Sequence, residues 1–421
     1  MPLNRVLKST AIWSIADQVL LSGANLLIGV AAARLIGISE FGKFTVVLIV
    51  AAFVQALQAS LVSVPMMTVA GRRTRSAAYF NAILLAGIAL SLVAGLITVL
   101  TLAGLAGLRG DISSPAFLLA AFLYAVVQNC QTLVRRMLFV QASARQALLM
   151  DLLRLALIVT IVALLRLTDD LHSADSLLWD LTVASTLSML PFLVTRLRAR
   201  FDMRLLREVV GRHWRYARWL LPVVVLTFLQ DQVVWLFMSV MLSDAAVGGL
   251  RAGQVLIGVA HLLMMAMENF VPSRAAEAYR SLGSSGLRSY LLQVSVAMGV
   301  PTLALILLVA LPAERWLSLV FGSAFAEYGG ILRIYALSYV IIFVRDILVH
   351  YFRATEMTAP IFKSYVVGAA VSLLLAYPLL EMWGALGAAL LLLATHTVSL
   401  IYLTTTLMRS EKLAKPRAQP A

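Results

Sequence analysis

The sequence predicts an all-α polytopic membrane protein of about twelve transmembrane helices, arranged as two parallel six-helix bundles around a central cavity. Composition, apolar windows and the placement of basic residues carry that expectation. Of 421 residues, 61% are hydrophobic and 13% charged, and the mean hydropathy is +0.92. Soluble domains are about 45–50% apolar and about 25% charged, so this balance excludes a soluble globular enzyme. The formal charge of +14 would point to nucleic acid in a soluble protein. In a membrane protein the excess of basic residues on one side explains it, and no nucleic-acid partner is expected.

The spans follow in order. Arg5 and Lys8 precede an apolar run too long for the core of a cleaved signal peptide, which makes it a first, retained span. Apolar windows bounded by charges or by Gly and Pro then fall at 11–35, 44–69, 78–106, 115–138, 147–167, 176–195, 218–242, 249–271, 290–311, 328–351, 361–380 and 384–408. With this parse, 25 Lys and Arg residues lie on the side of the N-terminus and 5 on the other, whose connections are acidic instead. That bias predicts both termini in the cytoplasm and requires an even number of spans. The single cysteine, Cys130, excludes an intrachain disulfide and a thiolate zinc cluster. It reads as a packing residue.

Landmarks recur between the halves. Asp17-Gln18-Val19 in span 1 matches Asp231-Gln232-Val233 in span 7, and Gly42 matches Gly248. Pro65 matches Pro272, and Val134-Arg135 matches Val344-Arg345. Two six-span halves that both begin and end in the cytoplasm form a parallel repeat, a plan that secondary transporters use for alternating access. The expected organisation is an N-terminal bundle over 1–195, a basic cytoplasmic linker helix over 196–217, a C-terminal bundle over 218–408 and a tail over 409–421. The linker, with eight arginines from 196 to 218, is expected to lie on the membrane surface against anionic lipids.

Catalytic motifs are missing. Gly37-Ile38-Ser39-Glu40-Phe41-Gly42-Lys43 approaches a nucleotide-binding P-loop, but Phe44 stands where a hydroxyl should reach Mg²⁺. It reads as the turn between spans 1 and 2. HExxH, GxSxG and metal-ligand spacings do not occur, so neither an enzyme nor a resident metal or other cofactor is expected, beyond a coupling proton or Na⁺.

Other segments carry a resemblance. Ala33-Arg34-Leu35-Ile36-Gly37 followed by Glu40-Phe41-Gly42-Lys43-Phe44 resembles the signature that closes span 1 and opens span 2 in bacterial polysaccharide repeat-unit flippases of the Wzx type. These belong to the multidrug/oligosaccharidyl-lipid/polysaccharide (MOP) exporter superfamily, which includes the MATE transporters. Asp17-Gln18, Arg135-Arg136-Met137-Leu138-Phe139 through Arg145, and Trp383-Gly384-Ala385-Leu386-Gly387-Ala388-Ala389 add to the similarity. The resemblance implies export of an undecaprenyl-diphosphate-linked oligosaccharide across the bacterial inner membrane for O-antigen, capsule or exopolysaccharide synthesis. It also implies a polysaccharide polymerase and a chain-length regulator as partners. The rival expectations are a cation-coupled drug or metabolite exporter of the same superfamily, and a non-transporting component of polysaccharide assembly.

Ionisable residues inside the spans are costly and mark candidate sites. Arg34, Arg154, Arg333 and Arg345 are the candidate diphosphate ligands, because a guanidinium binds phosphate oxygens through two parallel hydrogen bonds. Bland alternatives exist for three of them: Arg34 can snorkel, Arg154 can pair with Asp151 at helical spacing, and Arg345 lies beside Asp346. Arg333 has no acidic neighbour at helical spacing. Asp17, Asp231, Glu268 and His396 are the candidate ion-coupling groups, with interhelical hydrogen bonding as their structural alternative.

Overall fold

The computed structural model describes the backbone of residues 3–69, 77–141, 143–168, 173–194, 202–268 and 270–414, and most of their side chains. Helices make up nearly all of it, and no strand occurs among the described residues. Arg72, Arg73 and Arg75, residues 196–201 of the linker and residues 415–421 of the tail lie outside the described residues, as does the side chain of Asp17.

The chain divides into two compact units, Met1–Val225 and Leu226–Ala421. The first holds α1 (Leu3–Gln58), a π-helical turn (Ala59–Ser63), α2 (Val64–Val69), α3 (Ala77–Arg109), α4 (Pro115–Val140), α5 (Ala144–Thr168), α6 (Ala174–Val194) and α7 (Met203–Ala217). The division falls within α8 (Leu221–Asp231). The second unit continues with α9 (Val233–Met241), α10 (Asp244–Glu268), α11 (Val271–Ala310), α12 (Ala313–Phe321), a 3₁₀ turn (Ser323–Tyr328), α13 (Gly329–Ala354) and α14 (Thr358–Ala414). Eight of the described helices, or nine counting the bent pair α8 and α9, are long and apolar enough to cross a membrane. The protein is therefore a multi-pass membrane protein.

Glycine separates consecutive spans where no loop does. α1 breaks at Gly37, with φ 77° and ψ 171°, and α14 at Gly384, with φ 54° and ψ −131°. Side chains other than glycine rarely adopt such positive φ. Each break splits one long helix into two arms that match two predicted spans, the second span continuing past α1 through the π-helical turn and α2. Gly37 alone makes the first turn, since Gly42 is helical again and buried. The Glu40 carboxylate just past the turn accepts from the Ala174 amide at 2.9 Å, which satisfies an open donor at the start of α6, and pairs with Lys43 at 2.6 Å. α4 starts with the same economy: Pro115 occupies its first turn and Ser114 Oγ accepts from the Phe117 amide.

In the first unit α4 packs against α3 and α6. Ile83, Leu133, Leu138 and Met150 are fully enclosed, and Cys130 packs against their cluster. The Gln58 amide ties span 2 to α3 through the Gly87 carbonyl and Ser91 Oγ, both at 2.9 Å. In the second unit α13 lies against α14, α11 and α10, and α14 also covers α9. The segment before span 10, expected as a plain connection, contains α12, while the predicted ninth span is the latter arm of α11 beyond a break at Gly283.

Candidate functional site

The Asp-Gln-Val landmark of span 7 sits at a helix break. α8 ends at Asp231, Gln232 leaves helical geometry at φ −122°, and α9 departs at 45° to α8. A break inside a span releases backbone groups from the helical ladder, and such discontinuous helices are where transporters place ions and substrates. The Gln230 side chain, itself buried, donates from Nε2 to Asp231 Oδ1 at 2.8 Å. A glycine opposite permits that approach: a Cβ on Gly368 of α14 would stand 2.2 Å from Gln230 Oε1 and 2.8 Å from Ser399 Oγ.

Around Asp231 the second unit gathers charged groups from two further helices. Arg345 of α13 donates through Nε and Nη2 to Asp346 Oδ1 at 3.1 and 2.8 Å, and its Nη1 lies 3.0 Å from His396 Nδ1 on α14. His396 Nε2 in turn lies 3.7 Å from Asp231 Oδ1. A guanidinium only donates, so His396 Nδ1 accepts here and the neutral ring carries its proton on Nε2, on the side of Asp231. The order is thus Asp346, Arg345, His396, Asp231. The Arg345 side chain is 13% exposed, Asp346 28%, Asp231 29% and His396 6%. Both carboxylates keep an open edge while the cation and the imidazole are enclosed. An aromatic wall of Tyr335, Tyr339 and His261 stands nearby on α13 and α10, with the His261 ring edge-on to Tyr339 at 5.9 Å.

The other expected site residues land elsewhere. Arg333, which has no acidic neighbour at helical spacing, meets one from another helix: Nη2 lies 2.6 Å from Glu314 Oε2 of α12, and Nε donates to the Ala310 carbonyl at 3.2 Å. It closes the end of α11, which leaves open carbonyls for a cation to satisfy. The Glu314 carboxyl, outside the spans, is held below its usual range by its own backbone amide and by Arg333. Glu268 sits half-exposed with Arg353 at 2.6 Å and His350 at 4.0 Å, apart from the Asp231 group. The pairing of Arg154 with Asp151 is corrected, because Asp151 bonds Arg135 Nε at 2.7 Å across α4 and α5. Arg154 instead donates from Nη2 to Gln128 Oε1 at 2.9 Å, and its Nε has no hydrogen-bond partner among the described residues. It lines a cleft between α1 and α5 with Asn25, Asp151 and apolar side chains. Arg34 is exposed, three residues before the Gly37 break.

Sequence reading therefore named Asp231, Arg345 and His396 but assigned them to separate roles, whereas the fold brings them into one group. It passed over Gln230, although this residue directly precedes the repeated landmark. His261, Tyr335 and Tyr339 carry no pattern that separates them from ordinary polar residues of a span.

No protein-family model matches the sequence, and no curated protein matches it. Solved structures do. An inward-facing multidrug resistance MATE family transporter of the MOP superfamily aligns over 94% of this chain and 96% of its own, at 16% identity and TM-score 0.70. The lipid II flippase MurJ in an inward closed conformation aligns over 95% and 87%, at 13% identity and TM-score 0.71. The chain has the fold of the MOP superfamily transporters. A MATE crystal structure in the straight conformation, at 14% identity and TM-score 0.56, agrees over 97% of this chain. At these identities the likeness concerns the MOP fold alone.

Proposed function

We propose that the chain is a flippase of the inner membrane, with both termini cytoplasmic. It moves an undecaprenyl-diphosphate-linked oligosaccharide repeat unit from the cytoplasmic to the periplasmic leaflet by alternating access. The observation that carries the coupled-transport part of this reading is the Asp231, His396, Arg345 and Asp346 group at the break in span 7. Buried ionisable groups cost too much to persist in a membrane without use, and ion pathways are their usual use. With Arg345 held on His396 Nδ1, a second proton on the imidazole would face a cation at 3.0 Å. Asp231 is therefore the group that takes the proton or Na⁺. Loading it removes the negative charge beside His396 while Arg345 stays on Asp346. A two-state helix arrangement can be biased by that change, because a ligand shifts an equilibrium by its differential affinity for the two states.

The substrate half of the reading rests on the span 1–2 signature and on the arginines within the spans. A diphosphate matches a guanidinium fork, and Arg34, Arg154 and Arg345 remain its candidate ligands. Polysaccharide polymerase and chain-length regulator are the expected partners. A drug or metabolite exporter is the second reading, favoured by the equal fold likeness to a multidrug transporter. A deletion strain separates them. Accumulation of lipid-linked glycan in the cytoplasmic leaflet, relieved by the intact gene and not by Asp231→Asn, supports the flippase. Normal surface polysaccharide with raised drug sensitivity supports the exporter.

A further inference from the structure

We infer that α7 carries a seat for the headgroup phosphate of an anionic phospholipid, centred on Gly211 and flanked by a strip that enters the acyl boundary. This goes beyond the transport reading and does not depend on which substrate is moved. The helix has three faces. Asp202 caps it by accepting from the Arg204 and Leu205 amides at 2.8 and 3.2 Å. Val209, His213 and Ala217 are buried, and Leu205, Leu206 and Val209 join the core of the first unit. This face fixes α7 in place: His213 hydrogen-bonds the Leu61 carbonyl in the π-helical turn and lies 3.4 Å from Tyr79 Oη.

At about 100° per residue, the arc beside the buried face holds Met203, Val210 and Trp214, which are 70%, 48% and 54% exposed. α7 lies between spans, so this strip is not part of the apolar surface of a span. The next arc holds Arg207, Arg218, Arg204 and Arg215, all exposed, and none of them forms an ion pair among the described residues. Glu208, at the edge of the basic arc and one turn before Gly211, is neutralised by Arg212 at 2.7 Å. Gly211 lies in the middle of the basic arc, one turn from Arg207 and from Arg215, with nothing within 4 Å of a Cβ built on it. A glycine weakens a helix interior. Here it leaves a backbone-floored notch flanked by Arg207 and Arg215, with Arg204 and Arg218 about 10 Å from it in opposite directions along the same arc.

An apolar strip bordered by a cationic one is the pattern of a helix lying in the membrane interface, with aromatic residues in the acyl boundary and arginines at the phosphates. Soluble anions match only the second strip. Acidic protein surfaces would leave Trp214 without hydrocarbon. The occupant is therefore a lipid with an anionic headgroup.

The test uses the full chain purified in neutral detergent and titrated with phosphatidylglycerol or phosphatidylcholine, with thermal stabilisation as the readout. Phosphatidylglycerol should stabilise the parent at lower concentration than phosphatidylcholine. Each Arg→Gln among Arg204, Arg207, Arg215 and Arg218 should raise the phosphatidylglycerol midpoint about fivefold. Gly211→Leu, which keeps every charge but fills the notch, should raise it too, while Arg274→Gln/Arg280→Gln on α11 should not. Lipids brominated in the acyl chain should quench the parent more than Trp214→Phe. Equal midpoints for the four-arginine variant and the parent would overturn the inference. So would equal loss in the α11 control, full replacement of the lipid effect by inorganic phosphate, or quenching unchanged in Trp214→Phe.

Discussion

Removing Arg345 tests how the buried charges are held. Arg345→Met keeps the length of the side chain but deletes two hydrogen bonds to Asp346 and the contact with His396. Breaking a buried ion pair by removing one partner costs about 3–5 kcal/mol, because the remaining charge stays buried. Asp346 retains 28% exposure and can draw on water, so the expected cost is at the lower end, about 3 kcal/mol. Replacing both partners with apolar residues is close to neutral, so Arg345→Met/Asp346→Leu should recover most of the loss. The assay is unfolding of detergent-purified protein, with the four members of the double-mutant cycle compared at one temperature by the surviving monodisperse fraction. A double variant no more stable than Arg345→Met would refute the argument that the unpaired carboxylate carries the cost. A double variant that is stable yet inactive would separate holding the helices from coupling the ion.

Further outcomes follow from local geometry. Gly37→Ala should cost about 1–3 kcal/mol from backbone strain alone, since a Cβ there meets nothing within 4 Å; Gly23→Ala, in open space on the same helix, should be neutral or stabilising by up to about 1 kcal/mol, and thermal unfolding in detergent distinguishes them. Gly368→Ala should overpack Gln230 and Ser399 at a cost of about 1–3 kcal/mol, with part of it regained in Gly368→Ala/Gln230→Ala. Burial holds the His213 imidazole below its ordinary range, so the unfolded chain binds more protons than the folded one below about pH 6.5. Stability should accordingly fall as the pH drops from 7.5 to 5.5, and His213→Gln should flatten that slope. Reporter fusions after Arg204, at Arg280 and at Ala421 should read cytoplasm and those near Asp111, Asp244 and Glu381 periplasm; a periplasmic C-terminus would break the even-span parse.

The spans were legible because a bilayer demands long apolar windows, and so were their sharpest turns. Gly37 and Gly384 stand inside two of the segments that carried the family resemblance, where helices reverse without a loop. The pairing of charges was far less legible. Helical spacing joined Arg154 to Asp151, but α4 brings Arg135 there first, and a contact between helices leaves no mark in either one's periodicity. Arg333 showed no acidic neighbour because Glu314 reaches it from α12, which hydropathy merged into a connection. Arg345 and His396 stand 51 residues apart, so only the folded second unit could join two residues that composition had sorted as substrate ligand and coupling group. The matched landmarks Arg135 and Arg345 both end in ion pairs with a carboxylate, Asp151 in one unit and Asp346 in the other.

The central claim is that Asp231 couples an ion gradient to movement of a lipid-linked oligosaccharide. Its most direct measurement is flipping of a labelled undecaprenyl-diphosphate glycan in proteoliposomes, with proton and Na⁺ gradients imposed separately. One of the gradients should accelerate flipping by the parent, and Asp231→Asn, which keeps the shape of the side chain but fixes it neutral, should lose that acceleration while remaining folded. Flipping by Asp231→Asn that responds to the gradient as the parent does would contradict the claim.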